Sequence, residues 1–243
     1  MKVGIKIFPN RIKKIPEYAA IADYIEVMAA PNLNPQNLKN FSIPITIHAQ
    51  HNQFGVNIAD KSIVKLNLKA VEKAKKAADI VDSDIIILHP GKLENKNCSF
   101  DNAVNFFNKL KDPRIIIENL SDKNNICKSP EELLSFQQKT GCDFCLDFAH
   151  VVVAAFHLKK DYKEIVKQFV KLNPFYFHIS DGFVNTGKDR HLNLGEGDYD
   201  LKFFRQFIGN KRVSLETKSS PILVYQEQIK FLKSQKGMPK IIK

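Results

Sequence analysis

Eight times along this chain a short apolar run rich in Ile, Val and Phe stops at a polar residue and gives way to a longer mixed stretch. The runs cover residues 3–8, 23–28, 43–48, 84–89, 114–118, 143–147, 175–179 and 212–216, each bounded by Pro, Gly, Asp or Asn. They are continuously apolar, as strands buried on both faces must be. Amphipathic stretches lie between them, at 60–81, 99–110, 129–138, 161–172, 200–208 and 222–232. The longest has apolar residues at Ile63, Val64, Leu66, Leu68, Ala70, Val71, Ala74, Ala77 and Ala78, with Asp60 or Ser62 as its cap. Ser129-Pro130-Glu131-Glu132 reads as a helix start: a capping Ser, a Pro in the first turn and acids against the helix dipole.

Strand and helix in alternation imply a parallel sheet. Eight units within 243 residues favour a closed (β/α)8 (TIM) barrel over an open sheet, as one domain over 1–243. No Gly-x-Gly-x-x-Gly follows the first run, which argues against a dinucleotide fold. No apolar stretch is long enough to span a bilayer, and the apolar N-terminus is too short for a signal peptide. The four cysteines, Cys98, Cys127, Cys142 and Cys145, suggest no disulfide framework. Cys142-x-x-Cys145 has no second pair to complete a zinc ribbon. A reduced, cytoplasmic, monomeric protein is expected, with a basic, frayed tail over 235–243. The formal charge of +11 favours an anionic partner, nucleic acid first, although the lysines are spread along the chain.

The polar residues gather where strands stop. His48, His89, Glu118, Asp147, His178 and Glu216 each end a predicted strand, with His51 and His150 just beyond. The loop 188–197 adds Asp189 and His191. Of the 7 histidines, His157 alone falls elsewhere. A single strand-end His or Asp is more often a hydrogen-bonded structural residue than a ligand. In a barrel, however, these ends converge on one mouth. Carboxylates crowded there repel one another unless cations lie between them, and mixed His, Asp and Glu sets suit Zn2+, Mn2+, Fe2+ or another divalent metal. Glu26, two residues before the end of its strand, is either an outer support or a core ion pair and stays outside the set. Glu196 reads as a structural loop carboxylate.

His89-Pro90-Gly91, Glu118-Asn119, Asp147-x-x-His150, His178, Asp189-Arg190-His191, Asn193-Leu194-Gly195-Glu196-Gly197 and Leu215-Glu216-Thr217 occur in this order over most of the chain. Together they resemble the endonuclease IV branch of the xylose isomerase-like barrels. The resemblance implies a cytoplasmic hydrolase that cleaves DNA on the 5′ side of abasic sites with up to three zinc ions. His89 and either His48 or His51 would hold the first ion. Glu118 would bridge it to a second, held by Asp147, His178 and Glu216. His150, Asp189 and His191 would hold the third. Glu118, Asp147 and Glu216 carry the catalytic roles in this reading, and the cations stabilise charge on the reacting phosphate. His48-Ala49 looks like the family's strand-end pattern, whereas His51 has the family's usual distance to Asn57. The second register makes Phe54 an aromatic abasic-site contact. Lys92, Lys188 and Arg190 would meet phosphate.

Some stretches depart from that pattern. The chain is short for the family, Leu120-Ser121-Asp122 replaces a Gly-rich stretch, and Val151-Val152-Val153 is unusually apolar. A sugar or sugar-phosphate isomerase or epimerase on the same barrel is the alternative. There one metal held by Glu118, Asp147, His178 and Glu216 would polarise a hydroxy-ketone.

Overall fold

The structure, a computed structural model, describes residues 1–234, so the expected fraying of 235–243 lies outside the described residues. Eight parallel strands close into a barrel in chain order. They are β1 (Lys2–Ile7), β2 (Tyr24–Met28), β3 (Ile45–His48), β4 (Ile86–Leu88), β5 (Ile115–Glu118), β6 (Phe144–Asp147), β7 (Tyr176–Ile179) and β8 (Arg212–Leu215). β8 returns to β1 with Val213 opposite Val3 and Leu215 opposite Ile5. The expected barrel is the observed one, and each predicted run matches its strand to within two residues at either end.

The helices are α1 (Ile15–Ala19), α2 (Val64–Ile80), α3 (Phe100–Leu110), α4 (Pro130–Thr140), α5 (Phe148–Leu158), α6 (Tyr162–Lys171), α7 (Leu201–Arg205) and α8 (Ile222–Lys233). Asp60 accepts from Ser62 N at 2.8 Å and caps the turn that leads into α2. Ser129 caps α4 as its sequence requires.

Two units depart from simple alternation. Between β2 and β3 the chain makes only a 3-10 turn, Pro35–Leu38. Between β6 and β7 it makes two helices, and α5 was not expected there. Its buried residues run without a break from Phe148 to Ala155, so it has no polar face to produce a helical period. α7 also stops short of the 200–208 stretch.

Tyr24, Ile85, Ile87, Ile116, Cys145 and Tyr176 form a small cluster apart from the main core. Tyr24, Ile116, Cys145 and Tyr176 each precede Glu26, Glu118, Asp147 and His178 by two positions, and alternate strand residues share a face. The barrel interior is therefore plugged with apolar and aromatic groups at depth and carries ionisable groups at its C-terminal end. Cys145 belongs to the plug, Cys142 lies before the strand, and both thiols are free. Among the described residues no helix is long and apolar enough to cross a membrane.

Candidate metal centre

β5 ends in Glu118, whose side chain is fully buried. Its Oε2 lies 3.0 Å from His48 Nε2 and 3.1 Å from His89 Nε2. Its Oε1 faces His150 Nδ1 at 3.2 Å and His178 Nδ1 at 3.3 Å. Glu118 thus belongs to two groups at once. His48, His89 and Glu118 offer ligand atoms all within 4.8 Å of one another, and so do Glu118, Asp147, His178 and Glu216. His178 Nδ1 is 2.8 Å from Glu216 Oε2 and 3.8 Å from Asp147 Oδ2. Short as these separations are, Glu118 Oε1, Asp147 Oδ2, His178 Nδ1 and Glu216 Oε2 are buried without a hydrogen-bond partner. Atoms that converge without bonding to each other fit a shared cation.

The loop after β7 brings a third group. His150 Nε2 and His191 Nε2 lie 3.3 Å and 2.9 Å from Asp189 Oδ2. A shared pattern fixes the rings. His48 Nδ1 donates to Ala49 O, His150 Nδ1 to Asn119 O and His191 Nδ1 to Glu216 O, each at 2.8 Å. Each neutral ring then turns the lone pair of Nε2 towards a carboxylate oxygen. Two acceptors at that distance repel unless a proton or a cation lies between them.

The titration of the groups follows from this crowding. Burial, with Glu216, Glu118 and Asp189 nearby, holds the Asp147 carboxyl above its usual range despite the pull of His150. His178 is pushed well above the ordinary imidazole range although burial opposes it, because Cys145, Glu26, Glu118 and Glu216 surround the ring. His191 rises to about 9, Asp189 and Glu216 outweighing burial. Burial lowers His89 to about 4 against the pull of Glu118, and burial lowers His51 to about 2.

Local structure aims these side chains. Asp147 caps α5 with Oδ1, which accepts from His150 N at 2.9 Å, and so leaves Oδ2 for the centre. Gly91, at φ 104, brings the loop after β4 against Asn57, where a Cβ would meet Asn57 Oδ1 at 2.6 Å. Asp181 Oδ2 accepts from Gly195 N at 2.8 Å and Gly197 N at 3.0 Å. These bonds, with the bridge between Asp181 and Leu192, tie down the segment that carries Asp189 and His191. His191 itself is held in the left-handed region at φ 47, a strained backbone of the kind that clusters at functional sites.

A family model for the xylose isomerase-like TIM barrel matches residues 34–235. The chain belongs to this family. Within it, a probable endonuclease 4 from Aster yellows witches'-broom phytoplasma is 25% identical over 266 aligned positions, covering 96% of this chain and 85% of the relative. A probable endonuclease 4 from Bifidobacterium longum is 22% identical over 143 positions, and there the match spans about half the relative's length, 50%, and 52% of this chain. Among solved structures of the fold, endonuclease IV from Thermus thermophilus superposes with a TM-score of 0.71 at 17% identity, covering 93% of this chain and 95% of that one. A D-tagatose 3-epimerase-like protein does so at 0.73 and 19%, covering 94% and 95%.

The barrel opens over its strand ends into a cavity of about 650 Å³. His51, His89, His150, Asp189, His191 and Glu216 line it, with Arg11, Lys92, Lys188 and Lys218 as its cations besides Lys6. Phe54 and Arg190 do not line it. Phe54 packs edge-on against His51, and Arg190 is exposed. His51 lies outside both ligand groups and stacks on His89 with centroids 4.6 Å apart. Glu196 is engaged with Asn193 and Lys218, the structural role expected of it.

Sequence reasoning missed Lys6, and it left Glu26 aside. Lys6 sits next to the last residue of β1, 7% exposed, with Nζ 2.8 Å from Glu216 Oε1 and 3.6 Å from Glu26 Oε1. A lysine inside an apolar run was the available signal, because a buried ammonium needs a buried carboxylate.

Proposed function

We propose that this chain is a metal-dependent phosphodiesterase, with zinc as its metal, that cuts DNA on the 5′ side of abasic sites. The observation that carries the reading is Glu118, common to both ligand groups. A carboxylate placed between two sets of imidazoles suits a centre of several cations, and a one-metal isomerase has no need of it. Relatives named probable endonuclease 4 point the same way.

His48, His89 and Glu118 would hold one cation, and Glu118, Asp147, His178 and Glu216 a second. His150, Asp189 and His191 would hold a third. When bound, the cations supply Lewis acidity for the phosphoryl group and for the attacking water. The protein's own part is to orient the ligands, through backbone carbonyls on three of the imidazoles, and to receive an anionic chain. Lys92, Lys188, Lys218 and Arg11 line the approach and suit phosphate contacts. Arg190, exposed between two ligands, and Phe54, against His51, would meet the substrate outside the cavity.

The test is a duplex oligonucleotide with one abasic site, incubated with the zinc-loaded protein and with Glu118→Gln. The wild type should incise on the 5′ side. The variant should lose on the order of 10³-fold in rate, equivalent to about 4 kcal/mol of transition-state stabilisation. Equal rates would refute the metal mechanism.

A second reading rests on the group Glu118, Asp147, His178 and Glu216, which by itself completes a one-metal site. It would serve a sugar or sugar-phosphate isomerase or epimerase. A wild type that holds zinc, leaves abasic DNA intact and interconverts a ketose with its epimer would establish it.

A further inference from the structure

Both ring nitrogens of His178 face carboxylates, with no backbone carbonyl bonded to either among the described residues. Nδ1 faces Glu118, Asp147 and Glu216. Nε2 lies 3.0 Å from Glu26 Oε2, on the side away from the ligand groups. His48, His150 and His191 each spend one nitrogen on a backbone carbonyl. His178 stands inside the barrel on β7, where strand pairing uses the carbonyls, so only a side chain can take its outer N–H.

Glu26 is built for that place. It is fully buried on β2, across the barrel from β7. Its Oε2 also accepts from Tyr176 Oη at 2.8 Å, and Ser214 Oγ lies 2.7 Å from that hydroxyl. Its Oε1 lies 3.6 Å from the Lys6 ammonium, which compensates its charge. Such a carboxylate is costly to bury and contributes nothing to a packed plug of Tyr24, Ile87 and Ile116.

We propose that Glu26 is a positioning residue for the metal centre. Its Oε2 accepts a hydrogen bond from His178 Nε2–H, fixes the ring as the Nε2–H tautomer and so presents the Nδ1 lone pair to the cation that Glu118, Asp147 and Glu216 would hold with it. Tyr176 and Lys6 hold Glu26 in turn. A carboxylate behind a ligand imidazole fixes its orientation and raises its basicity, and loss of such a partner costs roughly 10–100-fold in metal affinity. The inference rests on the metal-centre reading above, and not on the identity of the substrate.

Two measurements with Zn2+ test it. Nitrogen-15 NMR of the zinc-loaded wild type should show His178 with a proton on Nε2 and the metal on Nδ1. The opposite assignment would overturn the proposal and needs no variant. Competition of Zn2+ with a chelator should then show Glu26→Leu weakened roughly 10–100-fold at one site. Glu26→Gln keeps an oxygen for the His178 N–H and should recover part of that loss. Wild-type affinity in a folded Glu26→Leu would also overturn it. A wild type that binds no Zn2+ removes the centre itself along with the proposal. Incision of DNA enters none of these readouts, so failure of the substrate reading is told apart from failure here.

Discussion

Lys6 Nζ lies 2.8 Å from Glu216 Oε1, an ion pair between the first strand and the end of the last, closed inside the barrel. It leaves Glu216 with one oxygen, Oε2, turned to His178. Lys6→Met removes the cation and leaves Glu216 and Glu26 buried without it. Loss of one partner from a buried pair costs about 3–5 kcal/mol. At about 3 °C per kcal/mol for a chain of this size, the Tm of the metal-free protein should drop by roughly 10 °C. Zinc should recover part of the drop, because a cation beside Glu216 compensates the same charge. Calorimetry with and without zinc checks this, and an unchanged metal-free Tm would contradict the pairing.

The loop ligands depend on a contact in which no ligand takes part. A Cβ on Gly197 would lie 2.1 Å from Gly182 O and 2.5 Å from Asp181 Oδ1. Gly197→Ala must push the loop off its Asp181 anchor, and with it Asp189 and His191. The expected result is loss of one zinc per chain, measured by elemental analysis, with the ions of the other two groups retained. Overpacking of this kind costs about 1–3 kcal/mol, so the variant should still fold. A full metal complement would show that the loop needs no such clamp.

His48 and His51 can be separated. His48 Nε2 is aimed at Glu118 from full burial, whereas His51 stacks over His89 in the cavity wall. His48→Asn should weaken zinc at the His89 and Glu118 group by more than about 100-fold, beyond the loss of an outer support. His51→Asn should leave zinc affinity within a few fold. The reverse order in a chelator titration would move the ligand role to His51.

Zinc and protons compete for the same nitrogens. Without metal, His191 is protonated up to about pH 9, and His150 and His178 are held charged well above the ordinary imidazole range. A ligand imidazole must be neutral, so binding releases these protons. Affinity should therefore rise with pH through neutrality, by up to tenfold per unit for each proton released, and level off only above about 9. Calorimetry in buffers of different ionisation enthalpy counts the protons. A flat profile between pH 6 and 8 would show that the rings are already neutral.

Much of this was legible in the sequence because the signals are local. Continuous apolar runs such as Ile85-Ile86-Ile87-Leu88 can be buried on both faces only in a parallel sheet, and the residue that ends each run must face the mouth. His89, Glu118, Asp147 and His178 could thus be named from spacing and residue type. α5 escaped because a helix buried on all sides carries no amphipathic period.

What the sequence by itself determined is the barrel and the chemical types gathered at its mouth, since both follow from patterns a few residues long. Tertiary structure alone decided who faces whom. Lys6 meets Glu216, and Glu26 meets His178 across 152 positions, only after β8 has paired with β1 and closed the ring. That His48 lies against Glu118 while His51 stacks on His89 was also set there. Residue types and spacing set what a side chain can do. Its partners, and so its charge and its aim, are long-range properties that exist only in the closed barrel.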